Sequence, residues 1–356
     1  MAFSKEQKAV IEARENRIVV IASSGSGKTA CLVERTKQLL KEVEDSSKIV
    51  LITFTNAAAE EMRLRIGDAK NIFIGTIHSY ANMLLASTSV NTMDFIESEQ
   101  YDKLLEKAIE HPNCFKEVEH LLLDEAQDTS KLQMSFILDY IKPKNFFAVG
   151  DYRQCIYEFN GVDPKTLLKL KRNEKFATYY LTQNYRTSRN ILIYAKRIIA
   201  KLGYDFYDDS VCMRDNEGKV LERSCGLSAI FKDIPKVDEL KDWFILCRSN
   251  AQVDEAIETL KALNIPYDTF KRAELNEADY AIKMQSNTVK VLTSHSSKGL
   301  ENKNVIVIGA MWGSAEEIRL NYVSATRAKN LLIWVTSNEF NSCQRSRSKI
   351  IKTVQF

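Results

Sequence analysis

The chain has 356 residues, of which 45% are hydrophobic and 27% charged, with a formal net charge of +3. That length is too great for one average domain and short for three, and the composition is that of an ordinary soluble protein with enough apolar residues for real cores. The weak positive charge neither demands nor excludes nucleic acid, because a local basic groove matters more than the total.

The seven cysteines are scattered, odd in number and form no C-x-x-C pair, so buried, reduced thiols in a cytoplasmic protein are expected. The four histidines show no metal-ligand spacing. The first residues, Met1 to Lys8, are polar and charged, unlike a secretion leader, and no apolar run approaches the length of a membrane span.

Short apolar runs alternate with amphipathic stretches. Strands are predicted at 18–22, 49–54, 72–75, 120–123, 145–149, 179–181, 243–247, 289–293, 304–308 and 330–335, with helical periodicity in many gaps, such as 191–202 and 253–263. This alternation predicts an α/β fold with parallel sheets, and so many strands suit two sheets better than one. The domain boundary is expected near Tyr179, dividing the chain into 1–178 and 179–356. Residues 203–240 are polar and rich in turn signals, and read as a surface excursion of the second domain.

The first predicted strand runs into Ala22-Ser23-Ser24-Gly25-Ser26-Gly27-Lys28-Thr29, and a helical stretch follows. Strand, glycine-rich turn and helix are the context of a phosphate-binding loop. Gly25 and Gly27 let the backbone curl so that its N–H groups face inward, and the helix N-terminus adds its positive dipole end there. Lys28 is placed to reach the β- and γ-phosphates of a nucleotide, and Thr29 to hold Mg²⁺.

Further along, three leucines lead into Asp124 and Glu125, acids at the carboxyl end of a buried strand, where open α/β sheets bind ligands. Asp124 is a candidate Mg²⁺ ligand and Glu125 a candidate base for the attacking water; alone, the pair also fits a solvated turn capping a helix. The strand at 145–149 repeats the arrangement and leads to Gln154, a candidate γ-phosphate sensor or a loop glutamine bonded to backbone. Tyr157 and Phe159 read as core residues or as base-stacking rings. Arg186 and Arg327 lie in the half without a phosphate loop, as arginine fingers or as members of surface salt bridges. The polar run from Thr293 to Glu301 suits approach to a phosphate backbone or a plain strand-to-helix turn.

Taken in order, these motifs resemble those of the UvrD/Rep/PcrA family of superfamily 1 DNA helicases, over nearly the whole chain from Gln7 to about Leu332. Ser4 to Gln7 resembles the adenine-reading Q motif, Ala22 to Thr29 motif I, Thr53 to Met62 motif Ia, and Gly75 to Ser79 motif Ib. Asp124 to Asp128 resembles motif II, Val149 to Tyr157 motif III, and Gln183 to Arg186 motif IV. Leu246 to Gln252 is similar to motif IVa, His295 to Glu301 to motif V, and Tyr322 to Ala328 to motif VI.

The resemblance implies two RecA-like domains with ATP and Mg²⁺ in the cleft between them. It implies that Ser24, Gly25, Ser26, Gly27, Lys28 and Thr29 cradle the phosphates, Gln7 reads the adenine, Tyr185 stacks on it and Glu301 meets the ribose. Gln154, Arg186 and Arg327 are implied around the γ-phosphate. Phe54, Asn56, Thr76, His78, Tyr157, Phe159, Thr293 and His295 are implied to line a groove for single-stranded DNA, along which the family moves 3′ to 5′.

The chain departs from the family pattern at several points. Ser23 and Ser24 replace Gly-Ala, Ala30 stands where an arginine often packs on adenine, Ala57 where a lysine is usual, and Asn302 where an aromatic follows motif V. The insertions that relatives carry at 80–120 and 268–288 are short here. The expectation is a minimal motor that hydrolyses ATP and translocates on DNA but unwinds poorly alone. The chain ends soon after motif VI, so any nuclease is expected as a separate partner. A DNA-sensing regulatory ATPase of a repair or phage-defence complex, and an RNA motor, are the competing readings. The basic run at 345–349 reads as a solvated tail or a contact for DNA or a partner.

Overall fold

Runs of valine, isoleucine and leucine without polar alternation form strands buried on both faces, as parallel sheets covered by helices require. The structure, a computed structural model, describes residues 2–67, 71–232, 234–270 and 282–336. It divides into two units, Met1–Thr182 and Gln183–Phe356. Cys343 and the basic run at 345–349 lie outside the described residues.

The first unit carries β1 (Arg17–Ala22), β2 (Ile49–Thr53), β3 (Phe73–Thr76), β4 (His120–Leu123), β5 (Asn145–Gly150) and β6 (Ala177–Leu181). They form one parallel sheet in the order β3-β2-β4-β5-β1-β6. β1 and β2 are buried almost end to end. The helix Lys28–Glu42 lays Cys31, Leu32 and Leu39 on the same core as Val20 and Leu51. Between β3 and β4 the chain makes only short helices, including Ile77–Leu85, Met93–Glu97 and Asp102–Glu110.

The second unit carries β7 (Gln183–Asn184), β8 (Val211–Cys212), β9 (Lys219–Arg223), β10 (Trp243–Cys247), β11 (Tyr267–Thr269), β12 (Val289–Thr293), β13 (Asn302–Ile308) and β14 (Ala328–Val335). Six of them form a parallel sheet in the order β11-β12-β10-β13-β14-β9, while β7 and β8 pair as a separate ribbon. Successive side chains of β10 serve opposite faces, as strand geometry dictates. Trp243, Ile245 and Cys247 meet Val253, Ala256 and Leu260 of the helix Asn250–Ala262. Phe244 and Leu246 meet Ile191, Ala195 and Ile198 of the helix Arg189–Ile199.

Two expectations differ from what is observed. The units part at Thr182, because the stretch assigned to the boundary pairs along β1 from Ala177 to Leu181 and completes the first sheet. The segment 203–240 is not wholly a surface excursion. Its β9 edges the second sheet beside β14, and Leu227, Ile230, Phe231 and Ile234 are buried in the core.

Candidate nucleotide and nucleic-acid sites

β4, β5 and β1 are neighbours in the first sheet, and each ends in a turn at the same carboxyl edge. β1 delivers the glycine-rich loop, β4 the Asp124-Glu125 pair and β5 the Asp151–Gln154 turn. Sheet order thus gathers segments distant in sequence.

Gly25 and Gly27 both adopt positive φ, at 69° and 84°. Gly27 caps the helix Lys28–Glu42 from the left-handed region, so Lys28 and Thr29 open that helix and its first N–H groups face the loop. The Ser26 hydroxyl donates to the Ser23 carbonyl at 2.7 Å, which closes the loop on itself. Gln7 helps to fix it from outside. Ser4 and Gln7 form a capping box, and Gln7 Nε2 donates to the Ser26 carbonyl at 3.0 Å. A Cβ at Gly27 would lie 2.7 Å from that Gln7 nitrogen and would displace it, and the φ of 84° is one that other residues rarely adopt.

Lys28 Nζ lies 3.3 Å from Glu125 Oε2. Glu125 itself has φ 48° and ψ 44°, a left-handed conformation costly for a non-glycine residue and frequent at functional turns. Burial, then the neighbouring Glu125 carboxylate, pushes the Asp124 carboxyl up to about 7, and Lys28 acts against both. A buried carboxyl so placed is poised to accept a cation. Among the described residues no group of three or more His, Cys, Asp or Glu could hold a metal. Mg²⁺ takes one or two protein oxygens and completes its shell with water and substrate phosphates. The Asp124 carboxylate and the Thr29 hydroxyl fit as those donors.

Gln127 joins the β4 and β5 turns. Its Oε1 accepts from the Asp151 N–H at 2.9 Å, and its Nε2 donates to Glu125 Oε2 and to Asp128 Oδ2. Gly150 makes room for it, because a Cβ there would come 2.3 Å from Gln127 Oε1. Asp151 in turn accepts from Gln154 Nε2 at 2.8 Å and from Arg153 Nε at 2.6 Å. Arg153, 1% exposed, also donates to Ser23 Oγ at 3.1 Å in the glycine-rich loop. Ser23, one of the departures from the family pattern, is therefore a working contact. Gln127, Asp151 and Arg153 lie within the stretches that resemble motifs II and III, but sequence reasoning assigns them no role. Their signal is that motif context and polarity immediately after apolar strands.

On the same sheet edge, beyond β4, lie the turns after β2 and β3. Phe54 stacks on Tyr157 with ring centroids 4.9 Å apart, and Tyr157 meets Phe159 edge-on at 5.9 Å. Phe159 is 66% exposed. Two stretches a hundred residues apart thus make one run of aromatic faces. Asn56 opens the helix Asn56–Ile66, and Thr76 caps the helix Ile77–Leu85 by accepting from the Ser79 N–H at 3.1 Å. His78 Nε2 sits 3.1 Å from Asp102 Oδ1. A small cleft lined by Phe54, Thr76, His78, Asp124 and Glu125 adjoins the two groups of residues.

In the second unit, Glu301 pairs with Arg186 and, at 2.7 Å, with Lys329. Arg327 is buried, donating to the carbonyls of Val323 and Leu300. Tyr185 is exposed and its hydroxyl donates to Gln183. Thr293, the last residue of β12, accepts from the Ser296 N–H at 3.2 Å and so closes the turn that follows. His295 stands on the same turn, its imidazole held below the ordinary histidine range by burial and then by the nearby Arg248 charge. Glu301 and Arg327 sit immediately before the amino ends of β13 and β14, and Thr293 and His295 at and just beyond the carboxyl end of β12. The second unit presents its two sets of candidate residues separately.

The sequence profile of the UvrD/REP helicase N-terminal domain matches residues 3–113 and 91–175, and that of the UvrD-like helicase C-terminal domain matches 270–339. A Mycoplasma pneumoniae protein named probable DNA helicase is 25% identical over 99% of this chain and 87% of its own length. DNA helicase II of Salmonella typhimurium is 26% identical over 80% of this chain and 54% of its own. The ATP-dependent DNA helicase PcrA of Staphylococcus epidermidis is 25% identical over 74% of this chain and 50% of its own. The chain thus spans about half the length of several such relatives. No described helix is long and apolar enough to cross a membrane.

Proposed function

The chain belongs to the UvrD/Rep-like family of superfamily 1 helicases, built on two RecA-like α/β units, and we propose that it is an ATP-driven motor on single-stranded DNA. The observation that carries the proposal is the convergence of the glycine-rich loop, the Asp124-Glu125 pair and the Gln154 turn at one edge of one sheet, beside the Phe54–Tyr157–Phe159 run.

In this reading the loop N–H groups and Lys28 bind the β- and γ-phosphates, and Lys28 leaves Glu125 to do so. Glu125, released from the ammonium, takes a proton from the attacking water, the reacting oxygen being oriented by the same side chain. Asp124 and Thr29 hold Mg²⁺, which when bound polarises phosphate oxygens. Gln154 reports the γ-phosphate state through Asp151 and Gln127 to the β4 turn. By the family resemblance, Arg186 and Arg327 are assigned to the developing charge, Tyr185 to the adenine and Glu301 to the ribose. Gln7 contacts the base while holding Ser26. Base faces stack on Phe54, Tyr157 and Phe159, which makes binding tolerant of sequence. Asn56, Thr76, His78, Thr293 and His295 contact the sugar-phosphate chain.

The short segment between β3 and β4 supports a motor that separates duplex poorly by itself, and the family resemblance supports movement 3′ to 5′. Release of streptavidin from the 3′ or the 5′ end of a biotinylated oligonucleotide tests this. Faster ATP-dependent release at the 5′ end is expected. No ATP dependence at either end would overturn the motor reading, and efficient unwinding of a 3′-tailed duplex would overturn its restriction.

A further inference from the structure

The segment 203–240 contributes more than an edge strand. β8 runs parallel to β7, with Gln183 opposite Val211 and Asn184 opposite Cys212. The Met213 N–H extends this ribbon by donating to the Asn184 carbonyl at 2.8 Å. Asn184 is buried, and its Oδ1 accepts from the N–H groups of Arg186 at 3.0 Å and Thr187 at 2.8 Å, which turns the chain at Arg186. Arg214 follows two residues past the end of β8. Its NH1 donates to the Arg186 carbonyl at 2.8 Å and to the Lys329 carbonyl at 2.7 Å, and its NH2 to Asn330 Oδ1 at 2.9 Å.

These bonds close a ring. The side chains of Arg186 and Lys329 share Glu301, while their backbones share Arg214. Lys329 lies two residues beyond Arg327, so one guanidinium fastens together the two segments that bear Arg186 and Arg327. A planar fork spans several acceptors in fixed directions; an ammonium on a flexible stem does not.

We infer that Arg214 is a positioning residue for ATP hydrolysis, setting the register of the Arg186 and Arg327 segments against each other. The inference rests on the proposed role of those two arginines at the γ-phosphate. Arg214 spends its charge on carbonyls and is assigned no contact with substrate. Its effect therefore belongs to the transition state and not to ground-state binding, so it falls on kcat.

The test measures DNA-stimulated ATPase of the full chain for wild type, Arg214→Ala, Arg214→Lys, Arg186→Ala and the Arg186→Ala/Arg214→Ala double variant, with thermal melting of each. Arg214→Ala is expected to lower kcat by about 10- to 100-fold with KM for ATP nearly unchanged, because small misplacements of a catalytic group cost that much. Arg214→Lys is expected to recover little of it. In the Arg186→Ala background the same change should cost far less than alone, since the two act as a unit. Wild-type kcat in Arg214→Ala beside a slow Arg186→Ala overturns the inference and leaves the arginine reading intact. Wild-type kcat in Arg186→Ala overturns the arginine reading itself. If Arg214→Ala does not fold, Asn330→Ala removes only the side-chain acceptor. A kcat loss of about 2- to 10-fold at constant KM then supports the inference, and no loss overturns it.

Discussion

Lys28 Nζ lies 3.3 Å from Glu125 Oε2, so the residue proposed to bind phosphate holds the residue proposed to activate water. A γ-phosphate that draws the ammonium away frees the carboxylate when there is something to hydrolyse. Glu125→Gln keeps the shape and removes the base. ATP turnover should fall by about 10²–10⁴-fold while binding of a fluorescent ATP analogue persists. Turnover within a few-fold of wild type would assign the base elsewhere.

Arg153 and Asp151 form a buried ion pair at 2.6 Å. Arg153→Met leaves the Asp151 carboxylate buried without its cation. Urea unfolding should report a loss of about 3–5 kcal/mol, the usual result of removing one member of such a pair. A loss below about 1 kcal/mol would mean that water or a neighbour replaces the guanidinium.

Phe159 ends an aromatic run and is well exposed. Phe159→Ala should weaken oligo-dT binding by about 1–3 kcal/mol, read by fluorescence anisotropy, with ATP-analogue affinity unchanged. Equal affinity for DNA would remove this ring from the groove.

Burial tends to raise the Glu301 carboxyl, but the charges of Arg186 and then Lys329 outweigh it, and the group lies below the ordinary carboxylate range. A group depressed on folding adds stability above its unfolded pKa and loses it as pH falls through the folded value. The stability difference between wild type and Glu301→Gln should therefore be largest near neutrality and shrink steadily below about pH 4. A pH-independent difference in urea midpoints would contradict the pairing.

Burial pushes the Cys31 thiol up to about 12 and raises Cys247 as well. Both should resist a disulfide-exchange reagent at about pH 8 in the native protein and react once it is unfolded, because the thiolate is the nucleophile. Rapid native labelling of either, located by peptide mass, would show that these cores open readily.

The glycine-rich loop and the acid pair are legible in the sequence because each is a local pattern, an apolar strand followed by a short polar turn of fixed spacing. What joins them is not. Gln127 meets Asp151 only because β4 and β5 are neighbours, and parallel neighbours are set by crossovers that sequence spacing does not encode. β6 reads as a boundary for the same reason: its partner β1 lies far back in the chain. β9, Lys-Val-Leu-Glu-Arg, hides its strand character behind the charges an edge tolerates, and the role of Arg214 stays hidden with it.

Hydrolysis of ATP at Lys28 and Glu125 is proposed to be coupled to single-stranded DNA, and steady-state ATPase with and without oligo-dT, in wild type and Lys28→Ala, decides whether it is. Strong stimulation by DNA is expected, abolished in Lys28→Ala while the variant stays folded. Turnover indifferent to DNA, or stimulation that survives Lys28→Ala, would contradict the coupling.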